Sequence, residues 1–236
     1  MSVLAHEGGE FPVLYRTYNV PSGSGYRRGF VSRPDATGQF PAVVILAPTE
    51  GITSQAKSIA WQLARRGFSL VAIDPSDGDY SEATDRQMLG AVADAIEFVL
   101  SEETVAPGRV GLWGLGPGGR LALIAAAERS DIAAVVVAEA PLRGDPDRDY
   151  EISMVLPRLQ IPVLGLYGRE DPNISTDDVD AAQAAVAHSQ WIIYEDVGAA
   201  FLDPDDDGYH PGAEYDSVVR ATQLFGVALP PAVLAA

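Results

Sequence analysis

The sequence contains no cysteine and only three histidines among its 236 residues. The first absence removes disulfides, thiolate metal sites and a cysteine nucleophile together. The second leaves His6, His188 and His210 as the whole supply of imidazole for proton shuttling or metal ligation. Positive charge is scarce as well: 16 Lys and Arg stand against 33 Asp and Glu, a formal net charge of −17. Such a surface repels a phosphate backbone, and no basic patch interleaved with aromatics offsets it, so neither nucleic acid nor an anionic membrane is an expected partner. No apolar run approaches the ~18 residues of a membrane span. The opening stretch MSVLAHEGGEF lacks the basic-then-apolar pattern of a secretion signal, and the expectation is a cytoplasmic protein.

What is present is an alternation of short β-branched runs with longer amphipathic ones. Val43–Leu46, Ser69–Asp74, Val110–Trp113, Ala133–Glu139, Val163–Gly168 and Trp191–Glu195 read as strands. Helices are expected in the SQAKSIAWQLARRG segment that stops at Gly67, over Arg86–Leu100, in RLALIAAAER, over Thr176–His188 and over Ala213–Phe225. Ser175 and Asp178 form a capping signature before the fourth of these. Near-continuous apolar strands separated by helices predict a doubly wound, mostly parallel α/β sheet covered on both faces. Val13–Tyr18 and Arg27–Val31 read as an antiparallel hairpin ahead of it. No repeat or linker divides residues 1–236, and one domain is expected. Ligands of such sheets sit outside the carboxyl ends of the strands.

The stretch GLWGLGPGGR, residues 111–120, falls at such an end. Gly114, Gly116 and Gly119 fit the G-x-G-x-x-G turn of dinucleotide-binding folds, with Glu139 ending the next strand where a ribose-binding acid would sit. Gly114, Gly116 and Gly118 equally fit a nucleophile elbow, G-x-nucleophile-x-G, in which glycine stands at the nucleophile position.

The segments VVILAPTEGIT, LARRGFSLVAIDPSDG, GLWGLGPGGRLALIAAA, VLGLYGREDPNI and YEDVGAAFLDP together resemble the dienelactone hydrolase family of α/β-hydrolases, over most of residues 10 to 225. The resemblance implies an α/β-hydrolase fold and a nucleophile–histidine–aspartate triad, with no cofactor required. Matched position by position, the acid is Asp171, in GRED. The nucleophile position holds Gly116 and the base position, in GAAF, holds Ala199. The residue whose N–H would complete the oxyanion hole is Pro117, which has none. Where the family often carries a glutamate beside the nucleophile, this chain has Pro48, with Glu50 two residues on.

Glycine offers no attacking atom and alanine carries no proton, so triad hydrolysis is not expected. A non-hydrolytic member that binds a small molecule or acts as a scaffold is the leading expectation, and assembly as a homo-oligomer stays open. The alternatives are carboxylate acid–base chemistry (isomerisation, cyclisation or elimination) through Glu50 or Asp171, with Glu139 as a further acid, and ester or lactone hydrolysis through a non-standard site. Pocket residues on this reading are Glu50, Tyr80, Trp113, Gly116, Pro117, Asp171, Ala199 and His210. Trp113 reads as core rather than pocket, and His210 as an exposed loop residue rather than a replacement base. Ser54 reads as a helix-start residue and Ser76 as a turn residue.

One further pattern, DPDDDGYHPGAE, matches a calcium loop: carboxylates from Asp203, Asp205 and Asp207, a turn at Gly208, the Tyr209 carbonyl and a bidentate Glu214. The competing reading is an acidic loop solvated at a helix N-terminus, where carboxylates suit the dipole.

Overall fold

The computed structural model describes residues 9–23 and 25–234, and His6 lies outside them. Strands β1 (Val13–Ser22) and β2 (Gly25–Pro34) lead through the two-residue β3 (Gly38–Gln39) to β4 (Ala42–Leu46). Helix α1 (Ser54–Arg65), β5 (Ser69–Ile73), α2 (Asp85–Ser101), β6 (Val110–Leu115), α3 (Pro117–Glu128) and β7 (Ile132–Ala138) follow. The last part holds the short α4 (Ile152–Val155), which runs into a 3₁₀ turn, then β8 (Val163–Gly168), α5 (Thr176–Ala185), β9 (Ser189–Tyr194), α6 (Pro211–Ala228) and β10 (Val233–Leu234).

One eight-stranded sheet is ordered β1-β2-β5-β4-β6-β7-β8-β9. Its first two pairings are antiparallel, and the other five are parallel. Every residue of β4, β5, β6, β7 and β8 is buried, which explains why these strands read as unbroken apolar runs rather than alternating ones. Successive side chains go to opposite layers, as the pleat requires. Val44, Leu46, Val71, Leu112 and Val135 join α2 and α3 in one core. Val43, Ile45, Leu70, Trp113 and Val136 join α1 and α6 in the other.

The hairpin is longer than expected, pairing Val13 with Pro34 through to Ser22 with Gly25. Helix α5 stops at Ala185 rather than reaching His188. Ser175 does cap it, but its side chain makes no capping bond, and the Asp178 N–H donates to the Ser175 carbonyl instead (3.1 Å). A full capping box forms at Thr84 and Gln87, at the start of α2. Among the described residues no helix is long and apolar enough to cross a membrane.

The strand order positions the site. From β4 the chain steps outward to β5, then returns past β4 to β6 and continues the other way. The carboxyl ends of β4 and β6 therefore flank the topological switch point, where the loops diverge and leave a crevice.

Candidate active site

A cleft of 460 Å³ opens at that crevice. Pro48, Thr49 and Glu50 reach it from the loop after β4, Gly116 and Pro117 from the turn after β6, and Glu139 and Pro141 from the end of β7. Asp171 and Asn173 come from the loop after β8, and Ala199, Ala200, Asp203 and Asp206 from the one after β9. A larger depression of 520 Å³ is lined by β1, β2 and the turn after α2, and none of these carboxyl-end loops contributes to it.

The turn at Gly116 is the elbow the sequence suggested. Gly116 sits at φ 50° and ψ −127°, a conformation that L side chains rarely adopt, and Pro117 starts α3 directly after it. Its N–H donates to the Ala138 carbonyl (2.9 Å), and its carbonyl accepts from the Gly119 N–H (2.9 Å), so the turn is held from both sides. The neighbouring glycines serve packing. A Cβ on Gly118 would lie 2.5 Å from the Leu46 carbonyl oxygen, and one on Gly119 would lie 2.6 Å from the Ala140 Cβ. A Cβ on Gly116 itself would meet nothing nearer than the Pro48 Cβ at 3.8 Å. Space for a side chain exists at the elbow, and this chain puts none there.

Asp171 is buried, and its Oδ1 accepts from the Asn173 N–H (2.8 Å). Ala199 lies on the cleft wall. Glu50 is exposed at the rim and accepts from the Thr49 hydroxyl (2.8 Å). Glu139 differs from both. It stands at φ 56°, a positive value that a non-glycine residue holds only when its surroundings force it. Its backbone N–H is tied to the Leu166 carbonyl (3.0 Å), and its Oε1 is buried without a hydrogen-bond partner. Burial pushes the Glu139 carboxyl up from 4.5 to about 7; the Ala200 N–H pulls the other way, the Asp171 charge adds to the rise, and the Phe201 N–H and Gln55 side chain also lower it.

Three residues expected in the pocket are not on it, for identifiable reasons. Trp113 points into the core packed under α1 and α6 and is fully buried. Tyr80 lies under Arg148, whose guanidinium is 4.1 Å from the ring centroid and also donates to the Tyr80 carbonyl. His210 caps α6, its Nδ1 accepting from the Ala213 N–H (3.1 Å), so it is engaged as an exposed cap rather than as a base beside Asp171. His188 is exposed after α5. Ser54 opens α1 and donates to Asp205, while Ser76 folds back onto Asp74 as a turn residue.

In this structure the residues of the calcium-loop pattern are largely engaged with protein groups. Among the described residues no group of three or more His, Asp or Glu is placed to hold a metal ion. Asp205 is taken by Ser54, and the Asp203 Oδ1 accepts from the Asp205 N–H (3.1 Å). Asp207 lies exposed in the loop. Glu214, the expected bidentate ligand, is turned inward and saturated by Gln62 (2.7 Å), Ser58 (3.1 Å) and the Tyr209 hydroxyl (2.6 Å). Its carboxylate pins α6 to α1.

Lining residues that sequence reasoning missed include Thr49, Thr53, Gln55, Pro141, Asn173, Ile174, Ala200 and Asp206. Gln55 carried a signal, since it is a polar residue on the buried stripe of an amphipathic helix.

This sheet, with an elbow at its switch point and an aspartate after β8, defines an α/β-hydrolase fold. The family model for the dienelactone hydrolase family matches residues 28–229, and the chain belongs to that family. The dinucleotide reading of the glycines falls with that assignment, and Glu139 belongs to the cleft. A Salmonella typhimurium protein provisionally named a carboxymethylenebutenolidase is 28% identical over 233 residues, covering 88% of this chain and 85% of its own. Among solved structures, a provisionally named dienelactone hydrolase from Klebsiella pneumoniae superposes with a TM-score of 0.83 at 22% identity, covering 91% of this chain and 98% of that one. A dienelactone hydrolase from Anabaena variabilis gives 0.73 at 20% identity, with 92% and 99% covered.

Proposed function

We propose that this chain is a dienelactone hydrolase family member whose cleft binds a small organic molecule and does not hydrolyse it through a nucleophile. The observation that carries this reading is the elbow. Gly116 holds the strained conformation from which a nucleophile would project, and supplies no side chain. Its neighbours compound the loss, because Pro117 has no N–H for an oxyanion and Ala199 has no proton-carrying group. Loss of one oxyanion donor alone costs about 3 kcal/mol of transition-state stabilisation.

The names of the relatives favour hydrolysis as the competing reading, and Asp171 lines the cleft. Kinetics separate the two. A panel of uncharged esters and γ-lactones, followed by NMR with unmutated protein, is expected to show ligand signals broadened or shifted by binding and no ring-opened or cleaved product above buffer. Saturable product formation that responds to Asp171→Asn would replace this reading with hydrolysis at an unfamiliar constellation. Acid–base chemistry through Glu50 or Asp171 draws little support from their positions, since one is a rim residue and the other is already engaged by a backbone donor.

A further inference from the structure

Glu139 is the one carboxyl group of the cleft that nothing so far explains. A glutamate could leave the end of β7 at negative φ and turn outward. This one is held at φ 56°, at a cost of about 1–3 kcal/mol. The constraint is local: its N–H is fixed by Leu166 on β8, and the next residue, Ala140, packs against Gly119 of the elbow. The result places a carboxyl against the cleft with Oε1 buried and unpartnered, beside the elbow and Asp171. A buried polar atom without a partner costs about 1–3 kcal/mol, and more when it carries charge, which favours the protonated carboxyl.

We propose, resting on the non-hydrolytic reading above, that Glu139 is the catalytic acid–base residue of this cleft and moves a proton within an uncharged small molecule bearing a carbonyl group. The charge around it selects that class. Glu50, Asp171, Asp203 and Asp206 also line the cleft, and none of its lining residues is Lys, Arg or His. An anionic ligand therefore meets uncompensated negative charge, while a cation would hold Glu139 ionised and remove its acid form. The other titratable group close to it, Tyr167, is buried and donates its hydroxyl to the Ala140 carbonyl (3.3 Å). The carboxyl sits near half-protonation at neutral pH, which suits a group that must both take and return a proton. The N-terminus of α3 abuts the cleft and favours partial negative charge on the ligand oxygen.

The step is balanced within the ligand. In a β,γ-unsaturated lactone the Glu139 carboxylate takes a proton from the carbon between carbonyl and double bond. The electron pair spreads through the dienolate, and the resulting carboxylic acid delivers the proton to the far end. One C–H bond breaks, another forms, the double bond moves into conjugation, and no co-reactant is consumed.

α-Angelica lactone in D₂O, followed by NMR, tests this directly. The expected result is conversion to β-angelica lactone faster than buffer, with protium retained at the new C–H position in the fraction of turnovers that outrun exchange of the Glu139 proton with solvent. That rate should fall about a hundredfold in Glu139→Gln, the usual scale for a lost general acid–base. In Asp171→Asn the acid limb of the pH profile should move to lower pH, since the Asp171 charge helps hold the Glu139 proton and the reactive form is the carboxylate. An intact lactone isomerising no faster than in buffer, or equally fast with Glu139→Gln, overturns the role of Glu139 and leaves the non-hydrolytic reading standing. Ring opening to levulinate overturns the non-hydrolytic reading itself.

Discussion

Replacing Glu139 with glutamine should make the protein more stable, and increasingly so as pH rises. The carboxyl titrates near 4.5 when unfolded and at about 7 in the folded chain, where desolvation dominates. Between those values the folded form holds a proton that the unfolded form has released, so stability falls with rising pH across that window. Below it both forms are protonated, above it both are ionised, and the penalty is then constant. A shift of two to three units at 1.36 kcal/mol each corresponds to about 3 kcal/mol, most of it developed between pH 5 and pH 8. Glutamine keeps the shape and an acceptor oxygen but cannot ionise. Urea denaturation of both proteins at several pH values isolates the term, because titrating groups not coupled to Glu139 cancel in the difference. The advantage of Glu139→Gln should grow by about 2–3 kcal/mol from pH 5 to pH 8, roughly 5–10 °C in Tm for a domain of this size. Parallel stability curves for the two proteins would refute the reasoning, since they would mean that Glu139 ionises freely in the folded chain.

Four further outcomes follow from the packing. Gly116→Ala should cost about 1–3 kcal/mol in urea denaturation, through backbone strain alone, since its Cβ has room. Gly119→Ala should cost more, because its Cβ would overlap Ala140 at 2.6 Å. The buried bidentate pair of Arg120 and Asp85 (2.8 and 2.9 Å) should lose about 3–5 kcal/mol in Asp85→Asn, read by the same assay. Millimolar calcium should leave Tm unchanged, because Asp205 and Glu214 of the Asp203–Glu214 loop are committed to protein donors; a rise that Asp205→Ala abolishes would support the calcium reading.

Periodicity carried the fold. Unbroken apolar runs at β4 to β8 marked a sheet buried on both faces, and the elbow glycines marked their own close contacts, because both signals are local to a few consecutive residues. The hairpin and α5 ends shifted because pairing partners and tertiary contacts, rather than propensity, set where an element stops. The short β3–β10 pair joins segments from opposite parts of the chain and has no local signature. The site was legible only in part. Asp171, Gly116, Pro117 and Ala199 converge as the motif order implied. Trp113 follows the pleat into the opposite layer, which the strand's alternation could have indicated. His210 was assigned by proximity along the chain, whereas capping geometry decides its direction. Glu139 was visible as an acid at a strand end, but its weight comes from a positive φ and an orphaned oxygen that no sequence pattern encodes.

The central claim is that a family built around an attacking side chain at the elbow is represented here by an elbow that has none. Release of 4-nitrophenol from 4-nitrophenyl acetate, with unmutated protein in molar excess over the ester, tests it most directly, because excess protein reveals even a single acyl transfer. Release at the buffer rate, with no acyl adduct on the intact protein by mass spectrometry, is the predicted result. A protein-dependent burst, with an acyl group on a cleft side chain and loss of the burst in Asp171→Asn, would contradict it.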